Sequence, residues 1–342
     1  MSNLPSQIMD LREFDESINL MIYGPSGVGK TVFGGSADKV LFVAVEKGTV
    51  SAKRQNSNAK VWPVHKWNDL EAAYNWLTEN PDEFDWVVLD SITEMQQLAI
   101  RDILRKAHEE NASRDLDIPA IQDHQKWQNI YKRFVASFID LPVNVLFTAL
   151  VRTATDEDKE EFLTPDIQGK NYQLSQYTCG QMSAYGYMSS IKVALKDAEG
   201  KVVLDSRGKK IPHIVRRITW RDTGVIRGKD RYNVLEPYTE DLTLAEVHQL
   251  IDGEVTREEL GQFTMPKPDK ATKKSVEVAK GKPKAKAKAK PEPEPEPEPE
   301  WEDEEAEVKK AEESKPSEKA DESNDTESDP DGDEFDDFDF DD

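Results

Sequence analysis

Residues 18–23, 40–45, 86–89 and 143–149 are short, β-rich and apolar on both alternations. A strand with apolar side chains on both faces needs cover on both, which predicts buried parallel strands. Helical patterns separate them. Residues 68–79 place Leu70, Tyr74 and Leu77 on one face behind a cap-like Asn68-x-x-Glu71. Residues 92–110 and 121–141 follow, the second with Trp127, Ile130, Tyr131, Phe134 and Phe138 at helical spacing. Strand–helix alternation with right-handed crossovers gives an α/β fold. Its sheet is open, mostly parallel and covered by helices, with ligands at the carboxyl ends of the strands.

From Thr153 the pattern changes. An acidic, turn-rich stretch over 156–168 leads through Gly169-Lys170-Asn171-Tyr172 into a small-residue, Tyr-rich run ending near Ser190, which predicts a long mobile loop and a short helix. Residues 191–195 and 211–220 read as two strands, an antiparallel extension of the sheet. Residues 243–251 form a closing helix capped by Gly253. Beyond Met265 the chain is a Lys-Ala alternation (284–290), a Pro-Glu repeat (291–300) and an acidic polar run, which predicts a disordered tether. The expected organisation is an N-terminal lead (1–16), a folded core (17–240), a closing helix (241–265) and a tail (266–342).

Charge divides the chain in the same places. Of the net −23, residues 1–265 carry 31 Lys and Arg against 40 Asp and Glu, residues 266–290 carry 10 against 2, and residues 291–342 carry 4 against 26. An acidic body excludes a protein that coats DNA over its whole surface and leaves room for a local basic groove. The single cysteine, Cys179, excludes an internal disulfide and a Cys-based zinc site. The first 16 residues lack the apolar centre of a signal peptide, and no run approaches the roughly 20 residues that cross a bilayer. The expectation is a cytoplasmic protein with no membrane partner.

Gly24-Pro25-Ser26-Gly27-Val28-Gly29-Lys30-Thr31 follows the first strand and has the form G-x-x-x-x-G-K-T. In such a loop the glycines let successive backbone N–H groups curl round phosphates, Lys30 adds a point charge, and the Thr31 hydroxyl can ligate Mg²⁺. The expected ligands are ATP and Mg²⁺. Strand 86–89 ends in Asp90-Ser91, a carboxylate at a strand tip suited to the same metal. Glu46 ends strand 40–45, where a carboxylate can orient an attacking water.

Together these elements resemble the RecA-type recombinase core: a phosphate loop, a strand ending in Glu46, a strand ending in Asp90-Ser91, and then Val145-Leu146-Phe147-Thr148-Ala149-Leu150-Val151-Arg152. The resemblance implies a RecA-like P-loop NTPase core in which Glu46 is the catalytic base. At the position of that family's Gln sensor this chain has Leu150, which hands γ-phosphate sensing to Thr148 or Arg152 or removes it. The Thr-Ala pair and Gly169-Lys170 are similar to compact phage-encoded RecA-like ATPases of the Sak single-strand annealing group. That implies action on single-stranded DNA in recombination, annealing or replication, in the cytoplasm of an infected bacterium. Lys229-Asp230-Arg231 resembles a K-x-[KR] pair reaching into a neighbouring subunit's nucleotide, which implies a homo-oligomeric ring or filament with Lys229 and Arg231 acting in trans.

The DNA-contact candidates are Arg152, Lys170 and Lys192 with Tyr172, Tyr177, Tyr185 and Tyr187, cations and rings of the kind that track phosphates and stack bases. The last ten residues set Phe335, Phe338 and Phe340 in an acidic run. They resemble the tips of phage single-strand-binding proteins and imply recruitment of single-strand-binding or replication proteins. Two other classes stay open at the level of sequence: a small-molecule kinase, and a nucleotide-gated adaptor that loads partners through its tail.

Overall fold

The computed structural model describes residues 17–45, 47–156, 158–169, 172–195 and 201–264. Glu46, Lys170 and the tail lie outside them.

The first half runs β1 (Asn19–Tyr23), α1 (Lys30–Gly34), β2 (Val40–Ala44), α2 (Val50–Arg54), β3 (Lys60–Pro63), α3 (Trp67–Glu79), β4 (Trp86–Asp90), α4 (Ile92–Glu110), α5 (Ile121–Ile139) and β5 (Asn144–Ala149). These five strands pair in parallel in the order β1-β5-β4-β2-β3. Every residue of β1, β2 and β4 is buried, as two-faced apolar runs require. Alternate residues of β1 feed two cores. Met21 and Tyr23 join Leu70, Trp127 and Phe134, whereas Leu20 and Ile22 join Phe33, Phe42 and Trp220. Because β5 lies between β1 and β4, the phosphate-loop strand and the strand of Asp90 stand two strand spacings apart, about 10 Å.

Two local expectations shift. The cap of α3 is not Asn68-x-x-Glu71: Asp69 Oδ2 accepts from the backbone N–H groups of His65 (2.8 Å) and Lys66 (3.0 Å), which starts the helix at Trp67. β3 escaped the periodicity because it is an edge strand whose residues are exposed or half-buried.

The second half contains β6 (Val151–Thr155), β7 (Glu161–Pro165), α6 (Gln173–Gln181), β8 (Ala184–Ala194), β9 (Pro212–Thr219), β10 (Lys229–Asp230), β11 (Tyr238–Glu240) and α7 (Leu244–Asp252). Here the expected mobile loop is corrected. Its described residues form the antiparallel β6–β7 hairpin, the helix α6 and the first half of β8. The hairpin is held by Leu163 N–H to Val225 O (2.7 Å), Asp166 N–H to Leu150 O (2.7 Å) and the Arg227 guanidinium 4.2 Å over the Phe162 ring. β8 lies parallel against β1 and then antiparallel to β9, so residues 184–188 belong to the central sheet. A side chain at Gly186 would meet Ile218 Cγ2 at 2.7 Å and Trp220 at 2.9 Å, so this position of the strand takes only glycine. α7 begins on Thr243, paired with Glu246, and ends on Gly253 at φ 74°, as expected. Among the described residues no helix is long and apolar enough to cross a membrane.

Candidate functional site

The loop between β1 and α1 needs its glycines for different reasons. Gly27 (φ 76°) and Gly29 (φ 113°) sit in the left-handed region, which a Cβ disfavours. Gly24 sits so near β8 that a Cβ would lie 2.4 Å from Met188 O. Lys30, 8% exposed, folds back and donates from Nζ to Gly24 O (2.8 Å) and Pro25 O (2.9 Å). Its ammonium therefore lies inside the curl of the loop. Beside it opens a cavity of about 320 Å³ lined by Ser26, Gly29, Lys30, Thr31, Asp90 and Leu150.

Asp90 is the hub of this cavity. Its Oδ2 accepts from Thr31 Oγ1 at 2.8 Å, and its Oδ1 accepts from Thr148 Oγ1 at 2.6 Å. Thr148 is fully buried on β5, the strand filling the gap between loop and carboxylate. A hydroxyl and a carboxylate held together at the mouth of a phosphate loop are hard oxygen donors, and they fit Mg²⁺. When bound there, Mg²⁺ supplies positive charge against the phosphate oxygens. The Asp90–Ser91 peptide is cis.

The two sensor candidates separate. Thr148 reaches Asp90, whereas Arg152 stands on β6 opposite Thr164. Leu150 lines the loop cavity. Thr93, which the sequence did not single out, fixes it: Thr93 Oγ1 accepts from Leu150 N–H and donates to Asp166 O, both at 3.0 Å. Its only sequence signal is its place three residues after Asp90. Glu46 lies outside the described residues; Val45 before it donates its N–H to Asp90 O at 3.0 Å.

Lys229 and Arg231 turn to α6 of their own chain. Lys229 Nζ donates to Cys179 O (2.9 Å) and Gly180 O (3.0 Å), and Arg231 Nη2 donates to Gly180 O (3.3 Å). Cations on the last carbonyls of a helix satisfy acceptors that have no partner within it. Burial, with Arg231 close by, pushes the Lys229 ammonium down to about 8.

The tyrosines expected to stack bases are engaged in packing. Tyr172 sets its ring edge-on to Phe162 at 5.2 Å, Tyr177 lies under Lys132 Nζ at 5.3 Å, and Tyr187 packs on Tyr23 at 5.4 Å. Burial pushes the hydroxyls of Tyr177, Tyr185 and Tyr187 up from their ordinary range.

A second cavity of about 220 Å³ adjoins the first across Val32 and is lined by Gln55, Met188, Arg216, Thr239 and Asp241. Arg216 lies directly on the loop: a Cβ at Gly29 would be 3.0 Å from its Cδ and 3.2 Å from its Nη1. Sequence reasoning missed it, because only the pairing of β8 with β1 carries β9 to the loop.

A family profile described as AAA domain (AAA_24) matches residues 16–220. No curated protein matches the chain. Among solved structures, the flagellar accessory protein FlaH from Methanocaldococcus jannaschii aligns over 59% of this chain and 78% of its own, with 11% identity and a TM-score of 0.29.

Proposed function

The chain belongs to the AAA_24 family of AAA domains, and on that premise we propose that it binds ATP with Mg²⁺, hydrolyses it, and acts on single-stranded DNA. The observation that carries the nucleotide part is the chain Thr31–Asp90–Thr148 at the mouth of a loop whose lysine is buried among its own carbonyls. The triphosphate occupies the cavity at Lys30, and the nucleoside extends across Val32 into the neighbouring cavity. Lys30 exchanges the Gly24 and Pro25 carbonyls for phosphate oxygens. Thr31 and Asp90 hold the metal. In hydrolysis a water oxygen bonds to the γ-phosphorus, the bond to the β,γ-bridging oxygen breaks, and Glu46 takes the water's proton.

The sequence resemblance supports the finer reading: a phage-type ATPase of the Sak group, working as a ring or filament in recombination, annealing or replication, with its acidic tail recruiting replication proteins. In that reading Lys229 and Arg231 leave α6 to reach a neighbour's nucleotide. The test is the ATPase rate with and without single-stranded DNA. Stimulation supports the reading; turnover that requires a small-molecule acceptor replaces it with a kinase, and indifference to both replaces it with a nucleotide-gated adaptor.

A further inference from the structure

We propose that the arm formed by β8, β9 and residues 201–211 is the surface on which a single nucleic-acid strand lies. This rests on the DNA reading above and gives it a place. Residues 191–217 carry eight Lys and Arg against three Asp and Glu, a net of +5. The rest of residues 1–265 carries 23 against 37. A cationic ribbon on an acidic body concentrates phosphate at that ribbon and repels it elsewhere.

Pairing settles which face does this. Directly opposed residues share a face, so Ser190 with Arg216 and Lys192 with Ile214 stand on one side of the ribbon, and Ser189 with Arg217 and Val193 with His213 on the other. On the second side Arg217 is neutralised by Glu240 (Nε to Oε1, 2.9 Å) and lies 3.8 Å over the Tyr238 ring. On the first, Asp241 is 3.8 Å from Arg216 Nε and spends the same carboxylate oxygen on the Arg216 N–H. Lys192 and Arg216 are diagonal neighbours, about 7–8 Å apart. Farther out, Arg207, Lys209 and Lys210 are exposed, as are the apolar Val202, Leu204 and Ile214. Among the described residues none of Lys192, Arg207, Lys209 and Lys210 is in an ion pair. The track begins at Arg216, against Gly29 of the phosphate loop, which sets the strand beside the nucleotide.

The test uses the full chain, a fluorescent oligo(dT), and the triple variant Lys192→Ala, Lys209→Ala, Lys210→Ala. All three side chains are exposed, so folding and ATPase without DNA stay at wild-type level. Three lost phosphate contacts should flatten the log–log dependence of affinity on salt by about 2. Wild-type affinity and slope in the variant overturn the arm and leave the DNA reading intact. A wild-type protein that binds no oligo(dT), with or without ATP, overturns both. If the same substitutions abolish binding of polyglutamate as steeply as of oligo(dT), the arm is an acidic-protein site and the nucleic-acid assignment is overturned.

Discussion

Thr148 donates its hydroxyl hydrogen to Asp90 Oδ1 at 2.6 Å from the strand that separates Asp90 from the phosphate loop. With Thr31 on the other oxygen, each oxygen of the carboxylate accepts one hydroxyl hydrogen bond. If Asp90 holds Mg²⁺ as proposed, Thr148 acts as a positioning residue for that carboxylate.

Thr148→Val keeps the volume and removes the donor. A hydrogen bond to a charged group contributes about 1.5–3 kcal/mol. The variant should lose stability of that order in a denaturant titration and need more Mg²⁺ to bind nucleotide, and Thr148→Ser should restore both. An unchanged Mg²⁺ titration in Thr148→Val would show that Thr31 alone orients Asp90.

Charge, metal and base should fail differently. Lys30→Ala should lower turnover by about 10²–10³, the usual cost of one donor to developing charge. Asp90→Asn should weaken nucleotide binding only when Mg²⁺ is present. Glu46→Gln should bind normally and not hydrolyse; normal hydrolysis there would assign the attacking water to another residue. Equilibrium binding and turnover, measured on the same preparations, separate the three.

The loop glycines are unequal. Gly27→Ala puts a Cβ into open space and costs only the left-handed backbone, about 1–2 kcal/mol. Gly24→Ala drives a Cβ to 2.4 Å from the carbonyl of Met188, which is backbone and cannot swing aside. Gly24→Ala should be much the more destabilising in urea; equal midpoints would mean that β1 and β8 separate easily.

Cys179 is buried, and desolvation pushes its thiol up from 9.0 to about 12. Below pH 9 folded and unfolded chains both hold this proton. As pH rises from 9 towards 12 only the unfolded chain releases it, so the stability it contributes is lost across that window. Lys229 acts in the opposite sense: its folded value is near 8, so the cost of burying its charge is relieved as pH rises from 8 to 10.5. Cys179→Ala should therefore show a shallower loss of urea stability above pH 9 than wild type. Alkylation of the native thiol at pH 8 should proceed at the rate of unfolding, and fast labelling of folded protein would contradict this burial.

Much of the parallel half was legible because its strands are apolar on both faces, and residues 92–110 gave the helix at its observed bounds. The loop and Asp90 were legible for the same reason, each lying at the end of such a strand. In the other half the antiparallel strand pair and the closing helix on Gly253 were legible, but the β6–β7 hairpin and the first half of β8 were not. At the start of β8, Gly186 must admit Ile218 and Trp220, and that requirement appears only when β9 is in place. Thr93, Thr148 and Arg216 owe their places to pairings across 57, 58 and nearly 190 residues, which no local periodicity encodes.

β1 lies between β5 and β8, and its last ladder bond runs from Gly24 N–H to Ala149 O at 3.2 Å. Amides on the Tyr23 side of that bond can exchange with deuterium only when the central sheet comes apart, whereas those beyond it answer to the loop alone. Gly24 therefore marks a kinetic border within a single turn of chain. A ligand in the loop slows exchange directly on one side of it, and reaches the other only by stabilising the whole domain.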